Sequence, residues 1–393
     1  MLIFLKKGKY TVNKNSYFCK IVCFVCFITN IGQMPILIDN FPTRVIIIPL
    51  WIILAIICMK KNLSVYVGEA KSLLFLSYFF LLYYILGVIF IDRYLDSNLP
   101  YVIFLAIFIL LVGLLVGRNL KTEYIEKVYT SVILSGVIVG IDVFRKYIYG
   151  ISLASRVYVY DSKNSVSQIL LTSLILIIFL KFKNNKLSIK IFYLISSIIL
   201  LITLIGLKSR ATLIAIPIFI IWFLFNGKLD KKLRNIILII LGLMTITLFF
   251  STKISDILIK DVLMAGREMN NLNDISSGRM DEWVSFLDDF KDAMFFGHGR
   301  MKRESLFLTS LLEFGIIGGS IIILVASWPI YWMIKYLKKS NKSYLIFSSI
   351  AIVYIFNSFF EQLAPFGPGV KCFFLWFIMG ILISNKNFYR KRI

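Results

Sequence analysis

SSGRMDEW (276–283), FFGHGRMKRES (295–305) and LLEFGIIGG (311–319) fall in or beside the longest polar interval of an otherwise apolar chain. That interval runs from Ser251 to about Arg303 and feeds directly into a further apolar run. Polar loops of this length are uncommon in compact scaffolds, and loops on rigid scaffolds are where binding and catalytic groups concentrate. The flanking sequence decides what kind of scaffold carries it.

Of the 393 residues, 59% are hydrophobic, against roughly 45–50% in soluble domains. A spanning helix needs about 20 predominantly apolar residues. Candidate spans lie near 16–36, 44–59, 72–91, 100–117, 126–144, 165–182, 188–206, 211–226, 233–250, 305–334, 344–360 and 370–384. The expected fold is therefore all-α, a polytopic integral membrane protein with about 12 transmembrane helices. Residues 1–393 read as a single membrane domain, and 251–304 as one large extracytoplasmic loop within it. Only GLKSR (206–210) separates the seventh and eighth spans, which predicts a tight hairpin.

The net charge of +23 would suggest nucleic acid in a soluble protein. Here Lys and Arg cluster in short connections between apolar runs, so they read as topology signals and nucleic acid is not an expected partner. With the N-terminus in the cytoplasm, the connections on that side are consistently richer in Lys and Arg, which places both termini inside and the long loop outside. The basic N-terminus leads into an apolar run without a small-residue cleavage site, so this run is expected to remain as the first helix. The five cysteines lie in or beside apolar runs and read as small core residues.

Inside the loop, 280–294 has an amphipathic pattern. Trp283, Phe286, Leu287, Phe290 and Met294 recur at helical spacing, while Asp281, Glu282, Asp288, Asp289 and Asp292 occupy the remaining positions. The expected arrangement is a helix on the membrane surface, apolar stripe down and acids up.

Several chemistries lack their residues. There is no GxxxxGK[ST] phosphate loop and no HExxH, and His298 is the only histidine, so neither a metal nor a cofactor is expected. What the loop side does hold is arginine: Arg156, Arg210, Arg279, Arg300 and Arg303. Arg210, in the turn before an apolar run, reads either as a snorkelling cation or as a phosphate ligand, since the guanidinium fork matches phosphate oxygens two at a time. Glu304 reads as a helix-start carboxylate favoured by the dipole or as a general base. Glu313 sits in an apolar stretch before Gly315, Gly318 and Gly319. It needs a partner there, as an ion pair or as a functional group.

Together these pieces resemble the signature region of the O-antigen polymerase (Wzy-type) and O-antigen ligase superfamily. The matching positions are Arg279, Trp283, Gly297, Gly299, Glu304, Ser305, Glu313, Gly315 and Gly318, preceded by SRATLIAI (209–216) and by Arg156 and Asn164. The likeness covers roughly 150–330. The family's helix-opening His-Asn pair is here Glu304-Ser305, a departure from the ligase pattern that favours a polymerase. The resemblance implies polymerisation of undecaprenyl-pyrophosphate-linked oligosaccharide repeats into O-antigen, capsule or another surface glycan, on the outer face of the bacterial cytoplasmic membrane. Arg156, Arg210, Arg279 and Arg300 would bind the pyrophosphate. Glu304 first, or Glu313, would take the acceptor proton. Membrane lipid and a chain-length regulator protein are the other partners considered. A ligase delivering finished glycan to an acceptor, and a lipid-linked oligosaccharide flippase, are the alternatives.

Overall fold

The computed structural model describes residues 2–40, 44–59, 70–91, 94, 99–149, 163–181, 186–227, 234–235, 238–239, 242, 256, 262, 273, 276, 279–299, 301, 303–337, 342–360 and 372–390. Among them the chain is all-α. In order the helices are α1 (Leu2–Ile31), α2 (Pro35–Asn40), α3 (Arg44–Met59), α4 (Lys71–Phe90), α5 (Leu99–Asn119), α6 (Ile125–Val143), α7 (Lys163–Lys181), α8 (Leu187–Leu207), α9 (Arg210–Asn226), α10 (Arg279–Asp292), α11 (Leu306–Tyr336), α12 (Lys342–Ser358) and α13 (Cys372–Arg390). Apart from 233–250, most of which lies outside the described residues, every span read from the sequence coincides with one of these helices. Among the described residues, 6 are long and apolar enough to cross a membrane, and shorter apolar helices accompany them. The protein is a polytopic membrane protein.

Burial separates central from peripheral helices. In α7, 78% of the most apolar stretch is buried, against 28% in α4 and 33% in α8. Helix α7 packs on α6, α8, α9 and α12. Its interior place explains why Ser167, Gln168, Thr172 and Ser173 are all buried in so apolar a neighbourhood. Polar groups at that depth need partners inside the protein. Ser173 donates to the Val132 carbonyl (3.2 Å) and Thr203 to the Gly140 carbonyl (3.3 Å). On α4 and α8, by contrast, Phe75, Leu82, Ile89, Ile195 and Ile202 are exposed, as lipid-facing side chains would be.

Helices α5 and α13 pack closely together. A Cβ on Gly113 would lie 2.9 Å from the Phe373 carbonyl oxygen, and one on Gly117 would overlap the Phe377 carbonyl. Small residues there let two backbones meet, which is how helices gain contact where lipid supplies no hydrophobic drive.

The hairpin predicted at GLKSR is present. Helix α8 ends at Leu207, Lys208 takes the left-handed conformation (φ 51°), and α9 starts at Arg210. The turn is held from α7, because Ser209 Oγ donates to Asn164 Oδ1 at 2.7 Å. Arg210 is thus fixed at the end of the bundle where α9 begins.

The apolar run at 305–334 is not one straight helix. Within α11, Gly315 has φ 65° and ψ −170°, which breaks it into 306–314 and 316–336. The bend is sharp: a Cβ on Gly319 would lie 2.6 Å from the Ser310 carbonyl oxygen and 2.9 Å from Leu311 Cα. In a straight helix, residues nine apart are separated by about 13 Å.

Candidate functional site

Breaking a helix orphans the last carbonyls of its first half and the first amides of its second. Here the segment after α10 satisfies them. The His298 N–H donates to the Leu312 carbonyl (2.7 Å), the Gly299 N–H to the Glu313 carbonyl (3.0 Å), and the Ile316 N–H to the Met294 carbonyl (2.8 Å). From α4, the Tyr83 hydroxyl donates to the Phe314 carbonyl at 2.9 Å. Gly297 (φ 77°) lies so close to the elbow that a Cβ would sit 2.5 Å from the Glu313 carbonyl oxygen. Both glycines have a positive φ that L side chains rarely adopt. The motifs FGHG and EFGIIGG therefore meet backbone to backbone.

Two tyrosines brace this junction. Tyr94 donates to the Phe296 carbonyl, and its hydroxyl lies 3.1 Å from that of Tyr83. Burial pushes the Tyr94 phenol above the ordinary phenol range, so its hydroxyl stays protonated as a donor. Neither tyrosine was expected from the sequence.

Ahead of the elbow, α10 folds back on the residues that open α11. Ser276 Oγ accepts the Met280 N–H (3.0 Å), capping α10 at its start, and Asp281 and Glu282 lie in the first turn, where the helix dipole favours acids. Arg303 forms an ion pair with Asp289 and lies 3.3 Å from Ser285 Oγ. The Glu304 N–H donates to Glu282 Oε2 at 3.0 Å. His298 donates a ring N–H to the Asp289 carbonyl at 2.5 Å.

This corrects the expected sidedness of α10. Glu282 and Asp289 do not all stay on the open face. With Ser285 they turn toward 303–304, because the cation and amide there draw them in. Trp283 and Leu287 are exposed together with Met280 and Val284, and Phe286 stacks on Phe290 at 5.4 Å.

The arginines and acids read from the sequence fall into separate groups. Arg210 and Arg279 line one hollow of about 200 Å³, together with Ala211, Ile214, Ser276, Met280, Trp283 and Phe360. Its wall is mostly apolar, and both cations come from helix starts. Arg279 Nη2 lies 2.7 Å from Glu304 Oε2 and donates to the Phe360 carbonyl at 3.2 Å. Its guanidinium also lies over the Phe360 ring, 5.5 Å from the centroid. Arg210 is partly buried in the hollow, within electrostatic reach of Arg279 and Glu304. Glu313, 7% exposed, sits in the elbow and does not line the hollow. Arg156 and Arg300 lie outside the described residues. Among the described residues no cluster of His, Cys, Asp or Glu could hold a metal.

Two guanidiniums, a carboxylate and an apolar slot can hold a phosphorylated head beside an apolar tail. Phe360 was missed because it lies in the turn just after α12, with no motif around it. The acids that clamp 303–304 were visible in the sequence but assigned to the wrong face.

A relative in Haemophilus influenzae, an uncharacterized protein, is 23% identical over 334 residues, covering 77% of this chain and 82% of its own. Residues 195–310, which run from within α8 through the hollow-lining starts of α9 and α10 to the opening of α11, match the family model described as O-antigen ligase, so over that segment the likeness to the O-antigen polymerase and ligase superfamily is shown.

Proposed function

We propose that the protein is a glycosyltransferase that polymerises lipid-linked oligosaccharide repeats at the outer face of the bacterial cytoplasmic membrane, using undecaprenyl pyrophosphate as the leaving group. The observation that carries this reading is that Arg210 and Arg279 line a shared hollow with an apolar wall. Guanidiniums bind phosphate oxygens in a fixed fork. The apolar lining of Ile214, Met280, Trp283 and Phe360 suits the first prenyl units.

In the proposed step, the acceptor sugar hydroxyl attacks the anomeric carbon of the donor glycan. The bond from that carbon to the diphosphate breaks, and Arg210 and Arg279 hold the charge that develops on the leaving group. Glu304 takes the hydroxyl proton. Arg156 and Arg300 are assigned to the same diphosphate. Glu313 is assigned to the elbow and not to proton transfer, because it lies away from the hollow. Neither a metal nor a nucleotide is required, since the lipid diphosphate is already an activated leaving group. A chain-length regulator is a candidate partner, and the surface glycan could be O-antigen or capsule.

The description of the matching family favours a second reading, transfer of finished glycan to an acceptor. The carboxylate at 304, in the place of that pattern's His, favours the polymerase. A deletion strain separates the two readings. Acceptors carrying a single repeat mean a polymerase; long glycan left unattached to an acceptor means a ligase. Surface glycan of normal length and attachment would overturn both.

A further inference from the structure

We infer that Glu304 competes with the diphosphate for Arg279: carboxylate and ligand take turns at one amino group, and arrival of the ligand frees the carboxylate. This rests on the diphosphate reading above and adds to it an order of events.

The geometry of the pair carries the inference. Glu304 meets Arg279 through one oxygen, Oε2, at one nitrogen, Nη2. It is not the two-point fork that makes arginine–carboxylate pairs hard to displace. The same Nη2 also donates to the Phe360 carbonyl, while Nε is buried without a partner among the described residues. Among those residues, the polar contacts of the guanidinium run through Nη2.

The two partners are also held unequally. The Arg279 side chain is 18% exposed and is retained by the Phe360 ring and carbonyl. The Glu304 side chain is 55% exposed. The main chain of Glu304 is anchored independently, through its N–H to Glu282. Its carboxylate can swing away without disturbing either α10 or the start of α11.

Charge decides which anion wins. Arg210 and Arg279 share the hollow, so a ligand there meets two guanidiniums. A diphosphate brings more charge and enough oxygens for two-point contact. Occupancy by the donor would thus release the carboxylate from Arg279 and leave it available as a base. If Glu304 instead served only to orient Arg279, removing its charge would weaken binding, which is the opposite sign.

The test uses the full-length protein in lipid nanodiscs, with farnesyl diphosphate titrated calorimetrically. Glu304→Gln and Glu304→Ala should bind about two- to fivefold more tightly than the unmodified protein, the span expected of one half-exposed ion pair. Both should show lower KM and lower kcat in glycan synthesis. Arg279→Ala should lose most of the binding. Unchanged or weaker binding in both Glu304 variants, with the unmodified protein binding normally, would overturn the competition and leave the diphosphate reading standing. If neither the unmodified protein nor any variant binds the probe, the diphosphate reading falls and this inference falls with it.

Discussion

Arg279 illustrates how much one side chain can be asked to do. It opens α10, lines the hollow, meets Glu304 and lies over Phe360. Arg210 reaches the same hollow from α9. If the two bind phosphate oxygens as forks, charge alone will not replace them. Arg279→Lys and Arg210→Lys should each lower the rate of glycan synthesis by about 10²-fold or more. The check is product length and rate in membranes with matched protein levels; full activity in both lysine variants would remove the fork from the argument. Tyr94 acts by a different route. Tyr94→Phe deletes the donor to the Phe296 carbonyl and should cost about 0.5–1.5 kcal/mol, the net contribution of an ordinary internal hydrogen bond. The melting temperature of the solubilised protein measures this.

The broken helix α11 is an element-scale feature. Its two halves exist because Gly315 can take φ 65° and because the chain at 294–299 supplies the missing hydrogen bonds. Gly315→Ala would strain the backbone and drive a Cβ into the Phe295 carbonyl. We expect a loss of about 1–3 kcal/mol of stability, with glycan synthesis lost as well. At Gly318, whose φ is not positive, the atoms nearest an added Cβ belong to the side chains of Tyr83 and of Phe314 across the break rather than to backbone, so Gly318→Ala should be the milder change. Comparing thermal unfolding of the two variants checks this; equal effects would mean that φ at Gly315 is not what matters. The EFGIIGG motif was legible as a carboxylate followed by glycines in an apolar run. That its first glycine breaks the helix was not legible, because an apolar run looks the same straight or bent. The break depends on partners that arrive from an earlier stretch of chain.

Across the whole molecule, the central helices α7 and α13 are buried while α4 and α8 present apolar side chains outward. Close contact between α5 and α13 depends on Gly113 and Gly117. Gly117→Val should lower the yield of folded protein, since its side chain would collide with the Phe377 carbonyl and part the two helices. Size-exclusion profiles in mild detergent would report this, and a normal profile would show that the pair tolerates separation. Apolar run length and composition were enough to place the helices and the hairpin at GLKSR, because each span must satisfy its own backbone within lipid. The order of motifs was enough to draw attention to Arg210, Arg279, Glu304 and Glu313. The resemblance put Arg210 and Arg279 on one pyrophosphate, but sequence could not say that Glu304 would reach Arg279 or that Glu313 would sit in the elbow. Those depend on how α9, α10, α11 and α12 come together at one end of the bundle. Contacts between residues far apart in sequence carry no local pattern, so only packing decides them.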